Sequence, residues 1–202
     1  MEVCHNLSDS KLLSLSDSID RFVPDGSSIA LGLSLESLIP FAAAHEIIRQ
    51  RKRNLCLIGP ISDILFDQVI GAGCVGHIKA AWVGNVITGS GYNFRRGIET
   101  GTLKIEDHSN LTLALALRAG AMGVPFMPVR SGLGTDLVAT WGFRSEMRRA
   151  DPRLPDHKLC VIDNPFGEWA QASKLVLVPA INPDVTIIHA QCADRSGTVR
   201  IH

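Results

Sequence analysis

What this sequence lacks first is an excess of charge: 20 Lys and Arg stand against 20 Asp and Glu. The balance leaves no electrostatic footprint for nucleic acid or an anionic membrane surface. No apolar run approaches the ~20 residues a bilayer span requires. The opening MEVCHNLSDSKLL lacks the charged-then-apolar layout of a signal peptide. A cytoplasmic protein is therefore expected. Cysteine is sparse and odd in number, at Cys4, Cys56, Cys74, Cys160 and Cys192. Scattered in this way, the thiols read as reduced, with no disulfide framework.

Compact catalytic signatures are missing as well. There is no GxxxxGK[ST] loop, and Gly32-Leu33-Ser34-Leu35-Glu36 is the nearest approach to a GxSxG elbow, without its second glycine. Residues 71–76, GAGCVG, match GxGxxG by letter. A dinucleotide fingerprint must follow a strand and open a helix, whereas this one follows a helical pattern and opens a strand, so it reads as a helix-ending turn. His189 and Cys192 are spaced like half of a zinc site, but no paired Cys or His supplies the other half. No metal is expected.

What is present is an ordinary globular composition, 46% apolar and 20% charged, in a chain of 202 residues. That length can bury one large core. SIALG, NLCLIG, VGHIKAAWV and TLKIE read as strands. They alternate with the helical patterns FAAAHEIIRQRKR, ILFDQVI, NFRRGIET and NLTLALALRAGAMG. The alternation predicts an α/β domain with a mainly parallel sheet. PFMPVR is extended, WGFRSEMRRA a polar helix or helical turn, and LCVID, KLVLVPA, VTIIHA and TVRI are further strands that extend the sheet or cover its edge. No linker or internal repeat divides the chain, so residues 1–202 form one domain.

In an open parallel sheet, ligands bind beyond the carboxyl ends of the strands. Five loops qualify: Gly32-Leu33-Ser34, Gly59-Pro60-Ile61-Ser62, Gly84-Asn85, Glu106-Asp107-His108-Ser109-Asn110 and Arg130-Ser131-Gly132-Leu133-Gly134-Thr135. The pocket is expected to be lined by Gly32, Ser34, Asn85, Glu106, Ser109, Asn110, Ser131, Gly132 and Gly134. Glycine lets backbone N–H groups approach a ligand closely, although it also simply makes tight turns. Glu106 to Ser109 gathers carboxylate, imidazole and hydroxyl just before a helix. Ser109 or Asp107 could equally be no more than the helix cap.

The stretches DGSSIALG, HEIIRQRKRNLCLIG, DQVIGAGCV, FRRGIETGTLKIEDHS, RAGAMGVPFMP, IDNPF and VPAINPDVTIIHAQCADRSGTVRI run from about Asp25 to the last residue. Together they resemble the α (A) subunit of family I CoA-transferases, most closely the glutaconate type. The resemblance implies a three-layer, Rossmann-like α/β subunit that pairs with a homologous β subunit in a hetero-oligomer. It also implies acyl-CoA and a small carboxylic or dicarboxylic acid as substrates. Coenzyme A would arrive as part of the substrate, with no tightly bound cofactor. In the family a glutamate attacks the thioester and becomes a glutamyl-CoA. That glutamate normally lies in a Ser-Glu-Asn-Gly-like loop of the β subunit, a motif this chain lacks. The counterpart here is the loop at Glu106 and Ser109, the expected catalytic positions of this chain.

Two departures stand out. The family's Gly-Gly-Phe after the first strand is Gly32-Leu33-Ser34 here. Glutaconate-type α subunits also continue past the position of Ile201, so this is either a short natural form or a chain without a C-terminal segment. Other members of the fold act as acyl-CoA hydrolases, ring-opening C–C hydrolases or decarboxylases. A non-catalytic scaffold or binding subunit is the remaining alternative.

Overall fold

The structure, a computed structural model, describes residues 11–32, 38–62, 64–85, 87–139, 142–167 and 172–201. In chain order the elements are α1 (Leu15–Phe22), β1 (Ser28–Leu31), α2 (Phe41–Arg49), β2 (Leu55–Ser62), α3 (Ile64–Gly71) and β3 (Val75–Asn85). Next come β4 (Gly89–Ser90), α4 (Tyr92–Glu99), β5 (Lys104–Asp107), α5 (Asn110–Met122), β6 (Phe126–Val129) and α6 (Asp136–Ala139). The chain finishes with α7 (Ser145–Ala150), β7 (Cys160–Asp163), β8 (Lys174–Pro179), β9 (Val185–Ile187), β10 (Cys192–Ala193) and β11 (Val199–Arg200). Among the described residues no helix is long and apolar enough to cross a membrane.

The central sheet runs β9, β1, β2, β3, β5 with every pair parallel, and β4 folds back antiparallel on the carboxyl end of β3. In register, Ser28, Cys56 and His77 share one level with Lys104, and Ala30, Ile58, Lys79 and Glu106 share the level two residues on. Side chains at paired positions point to the same face, and alternate positions to the other. Ile29, Leu57 and Ile78 accordingly face helices α1 to α4 in the larger core. Ala30 and Ile58 face Leu113 of α5. Burial on both faces is why these strands read as nearly continuous apolar runs.

α5 is the keystone of the second side. It packs on β2 and β3 with one flank and on β6 and β8 with the other. The strand order β6-β8-β7 makes a separate antiparallel sheet, which buries Val176 and Val178 against Ala116. Helices, parallel sheet, and α5 with its antiparallel sheet therefore form three layers, the architecture expected. Ser109 caps α5, accepting from Thr112 N at 3.1 Å, and Gly123 ends it at φ 69°.

Several details differ from the sequence reading. Residues 59–62 belong to β2, paired with β3 through Val83, so Gly59-Pro60-Ile61-Ser62 is strand and not loop. Of the late strands, VTIIHA contributes β9 to the central sheet. LCVID and KLVLVPA join PFMPVR in the second sheet, and TVRI pairs with Cys192–Ala193 in a small hairpin. Within WGFRSEMRRA the helix covers Ser145–Ala150 alone. The GxGxxG-like run closes α3 and opens β3 through a turn at Gly73, φ 72°.

At Gly120, α5 packs directly on the segment entering β9. A Cβ there would run into the carbonyl oxygen of Ile181 and lie 2.6 Å from Asn182 Oδ1. Gly120→Ala should therefore destabilise by about 1–2 kcal/mol, overpacking outweighing the better helix propensity of alanine. Thermal unfolding checks this: a midpoint lowered by several degrees is expected, and an unchanged or raised one contradicts the packing.

Candidate functional site

The carboxyl ends of the parallel strands form one rim. Gly32 closes β1 at φ 58°, packed so closely on Pro40 that a Cβ would come within 2.8 Å of its ring. Asn85 ends β3, and its Oδ1 accepts from the N–H groups of Ile87 (2.8 Å) and Thr88 (3.3 Å), shaping the turn into β4. Ser109 and exposed Asn110 stand at the start of α5. Ser109 and Thr112 complete a capping box, with Ser109 N donating to Thr112 Oγ1 at 3.0 Å. Ser62, buried at the end of β2, has a hydroxyl without a hydrogen-bond partner among the described residues.

β6 begins where Pro125 O accepts from Ala180 N, at the amino-terminal end of the sheet, and runs with the parallel strands. Ser131, Gly132 and Gly134 therefore follow β6 at its rim-side end. There the Gly132 carbonyl accepts from Thr135 Oγ1 at 2.7 Å. Ser34 lies outside the described residues.

Glu106 is placed differently. Its side chain points inward, to the face shared with Ile58 and Lys79, and lines a cleft of about 300 Å³ between the central sheet and the segments 151–158 and 179–184. Arg148 Nη2 donates to both Glu106 oxygens at 2.7 Å, and Phe143 N donates to Oε2 at 2.6 Å. The other nitrogens of Arg148 donate to the carbonyls of Phe143 (3.2 Å) and Pro155 (3.1 Å). Both side chains are more than nine-tenths buried. A nucleophilic carboxylate needs a free oxygen directed at the reacting carbon, and here both oxygens are held in a clamp.

Burial governs the ionisation of the surrounding groups. It pushes the His108 imidazole down to about 3, helped by the cations Lys158, Lys79 and Arg148, so the ring is neutral. The Cys56 thiol is pushed up to about 11, chiefly by desolvation. Desolvation also raises Asp107 and lowers Lys158, whose Nζ donates to the Asp107 carbonyl at 3.0 Å. At the mouth, the Arg153 guanidinium beside Asp151 holds that carboxyl low, and hydrogen bonds from Ser28 do the same for Asp184.

Gly32, Asn85, Ser109 and Asn110 thus share one rim, and Glu106 belongs to the interior. Sequence reasoning missed Lys79, Arg148, Arg153 and Lys158. The alternation in His77-Ile78-Lys79 could have placed Lys79 on the interior face, whereas Arg148 carries no such signal, its partner lying 42 residues away. His189 and Cys192 are exposed, and Asp194 organises the β10–β11 turn by accepting from Ser196 N and Thr198 N at 2.9 Å.

Residues 12–202 match the family model described as coenzyme A transferase. The chain is 40% identical over 193 residues to the A-type polypeptide of 3-oxoadipate CoA-transferase from Pseudomonas knackmussii, covering 94% of this chain and 61% of that one. It is 38% identical to the A-type polypeptide of glutaconate CoA-transferase from Acidaminococcus fermentans, covering 95% of this chain and 59% of that protein. The crystal structure of that transferase superposes with a TM-score of 0.88, over 95% of this chain and 60% of its own. A decarboxylase, AibA/AibB, superposes with a TM-score of 0.71 at 27% identity, over 93% of this chain and 65% of its own. The chain thus spans about three-fifths of the length of the curated relatives.

Two outcomes follow from the clamp and its neighbours. Arg148→Met leaves a buried carboxylate unpaired and should cost about 3–5 kcal/mol, or roughly 2–4 °C of midpoint per kcal/mol. The double change Glu106→Gln with Arg148→Met should recover part of that loss; equal loss in both would contradict the ion pair. For His108, the folded value lies below the unfolded 6.5, so the unfolded chain binds the extra proton between about pH 6.5 and pH 3. Stability should fall as pH drops through that window, by up to about 1.4 kcal/mol per unit. His108→Gln should flatten the slope in urea titrations.

Proposed function

Since the chain belongs to the coenzyme A transferase family, we propose that it is the α-type subunit of an enzyme moving CoA between an acyl-CoA and a small carboxylic or dicarboxylic acid. The observation that carries the division of labour is the state of Glu106. Its two oxygens are taken up by Arg148 and Phe143, so the nucleophile comes from a homologous β-type partner. Similarity to the A-type halves of two named CoA-transferases supports the same assignment. Ile87 and Tyr92, 86% and 67% exposed beside the end of β3, give the partner an apolar surface to cover.

In this reading the partner's glutamate attacks the thioester carbonyl and CoA thiolate leaves, forming an acyl–glutamyl anhydride. The thiolate then attacks the glutamyl carbonyl, the first acid departs, and a glutamyl-CoA thioester remains. The second carboxylate attacks that thioester and expels CoA thiolate, giving a second acyl–glutamyl anhydride; the thiolate then attacks its acyl carbonyl, so that the new acyl-CoA forms and the glutamate carboxylate is released. Each tetrahedral step develops an oxyanion, which positioned donors stabilise. Asn110 and Ser131 supply side-chain donors on this chain's rim, the Ser109 hydroxyl joins them on turning from Thr112 Oγ1, to which it donates at 3.1 Å, and Gly32, Gly132 and Gly134 let backbone approach the substrate. Coenzyme A enters with the substrate, and the assembly works in the cytoplasm without nucleic acid or membrane. Likeness to a decarboxylase on the same fold supports a second reading, in which the rim binds an acyl-CoA that the partner decarboxylates.

The chain should be inactive alone and active when mixed with its β-type partner, assayed on a panel of acyl-CoA donors and carboxylate acceptors. Mass spectrometry should find the CoA adduct on a partner glutamate. Ser109→Ala should lower kcat of the mixture by about 10- to 100-fold, and Ser109→Thr, which keeps hydroxyl and cap, should restore most of it. Transfer by the isolated chain, abolished by Glu106→Gln, would falsify the assignment; carbon dioxide release without transfer selects the decarboxylase reading.

A further inference from the structure

The interior cleft holds a charge the proposed reaction does not use. Lys79 is 9% exposed and lines the cleft. Among the described residues no carboxylate lies within ion-pair distance of its ammonium, and its near neighbour is the ring of Phe143, 5.9 Å away. The other cations are committed. Arg148 holds Glu106, and Arg153 reaches Asp151 at 2.9 Å and Asp184 at 3.5 Å. Lys158 donates to the Asp107 carbonyl, and the His108 ring is neutral. Among the described residues four cations, Lys79, Arg148, Arg153 and Lys158, thus stand at this cleft against three carboxylates, Glu106, Asp151 and Asp184, a surplus of one positive charge in a largely buried space, where an unpaired ammonium is costly.

We propose that this cleft binds a small aliphatic monocarboxylate, its carboxylate on Lys79 and its tail against Cys56, Ile58 and Ile181. Three features select that ligand. The surplus is a single charge, so a monoanion balances it. A phosphate dianion would exceed it while facing Glu106, Asp151 and Asp184. The wall beyond the ammonium is apolar, with Leu154 and Pro179 completing it. The volume of about 300 Å³ is on the order of ten waters at ~30 Å³ each, enough for a short acid and too little for a coenzyme. Site occupancy stabilises the fold by mass action and needs neither acyl-CoA nor a partner.

The test uses the 202-residue chain at neutral pH, with butyrate as probe and sodium chloride at matched ionic strength as reference. The unfolding midpoint should rise progressively with butyrate and should not rise with phosphate. Lys79→Met should fold with a midpoint at or above that of the unaltered chain, because an uncompensated buried charge is gone. It should weaken butyrate binding at least ten-fold, while Lys79→Arg retains binding. Titration calorimetry on the unaltered chain gives a second reading, with one butyrate bound per chain expected. Absence of saturable butyrate binding, equal stabilisation of Lys79→Met, or equal stabilisation by phosphate would each overturn the proposal.

Discussion

Arg148 bound to Glu106 ties α7 to the parallel sheet, and the cleft beside it is arranged around that contact. Glu106 belongs to β5 in the parallel sheet, and Arg148 to a short helix that would otherwise have little to hold it there. The guanidinium also ties the Phe143 and Pro155 carbonyls, so one side chain fixes the path of the chain on either side of α7. A buried ion pair of this kind is weak as a source of net stability, because desolvation offsets most of the attraction. Its consequence is positional. With the segment after α7 pinned, Asp151 and Arg153 stand at the cleft mouth and Phe143 sits beside the ammonium of Lys79.

The parallel register explains why rim and cleft differ chemically. At the carboxyl ends the strands give way to turns and to the start of α5, so what faces outward is backbone, hydroxyl and amide: Gly32, Asn85, Ser109, Asn110. Below, the strands present side chains to α5 and the second sheet. β3 and β5 place Lys79 and Glu106 side by side at one level. Neutral hydrogen-bonding groups suit an edge to which, in the proposed reaction, a second protein brings the reactive carboxylate. A charge suits an interior seam only where it is compensated, as Arg148 compensates Glu106.

The strands and helices were largely legible because their patterns are strong. Leu55, Leu57 and Ile58 sit in a sheet covered on both faces, so the run reads as a strand. α5 carries a cap at Ser109 and a left-handed glycine at Gly123, so both its ends could be read. The second sheet was less legible. Phe126–Val129, Cys160–Asp163 and Lys174–Pro179 are extended in pattern, but their pairing depends on α5 lying between them and the first sheet. The same limit applied to the site. Strand ends gave the rim positions, while Glu106 was grouped with them by proximity in sequence. Period-two alternation carries it inward, to a guanidinium that no local pattern announces.

Glu106 and Asp107 show how far one residue step separates two roles. They are adjacent in β5 and therefore on opposite faces of the sheet. Glu106 is held by Arg148 on the face of α5. Asp107 lines an apolar groove with Trp82 and Phe94 on the other, its carboxyl raised by burial. A carboxylate that is clamped has no free oxygen for attack, and one raised by desolvation is a poorer nucleophile wherever it is protonated. Neither of these carboxylates offers what acyl transfer requires, a charged, hydrogen-bonded group with one oxygen free at the rim. The proposed division of the reaction between two polypeptides rests on how these two carboxylates are used: this chain commits them to its own packing and leaves its outward edge to neutral donors.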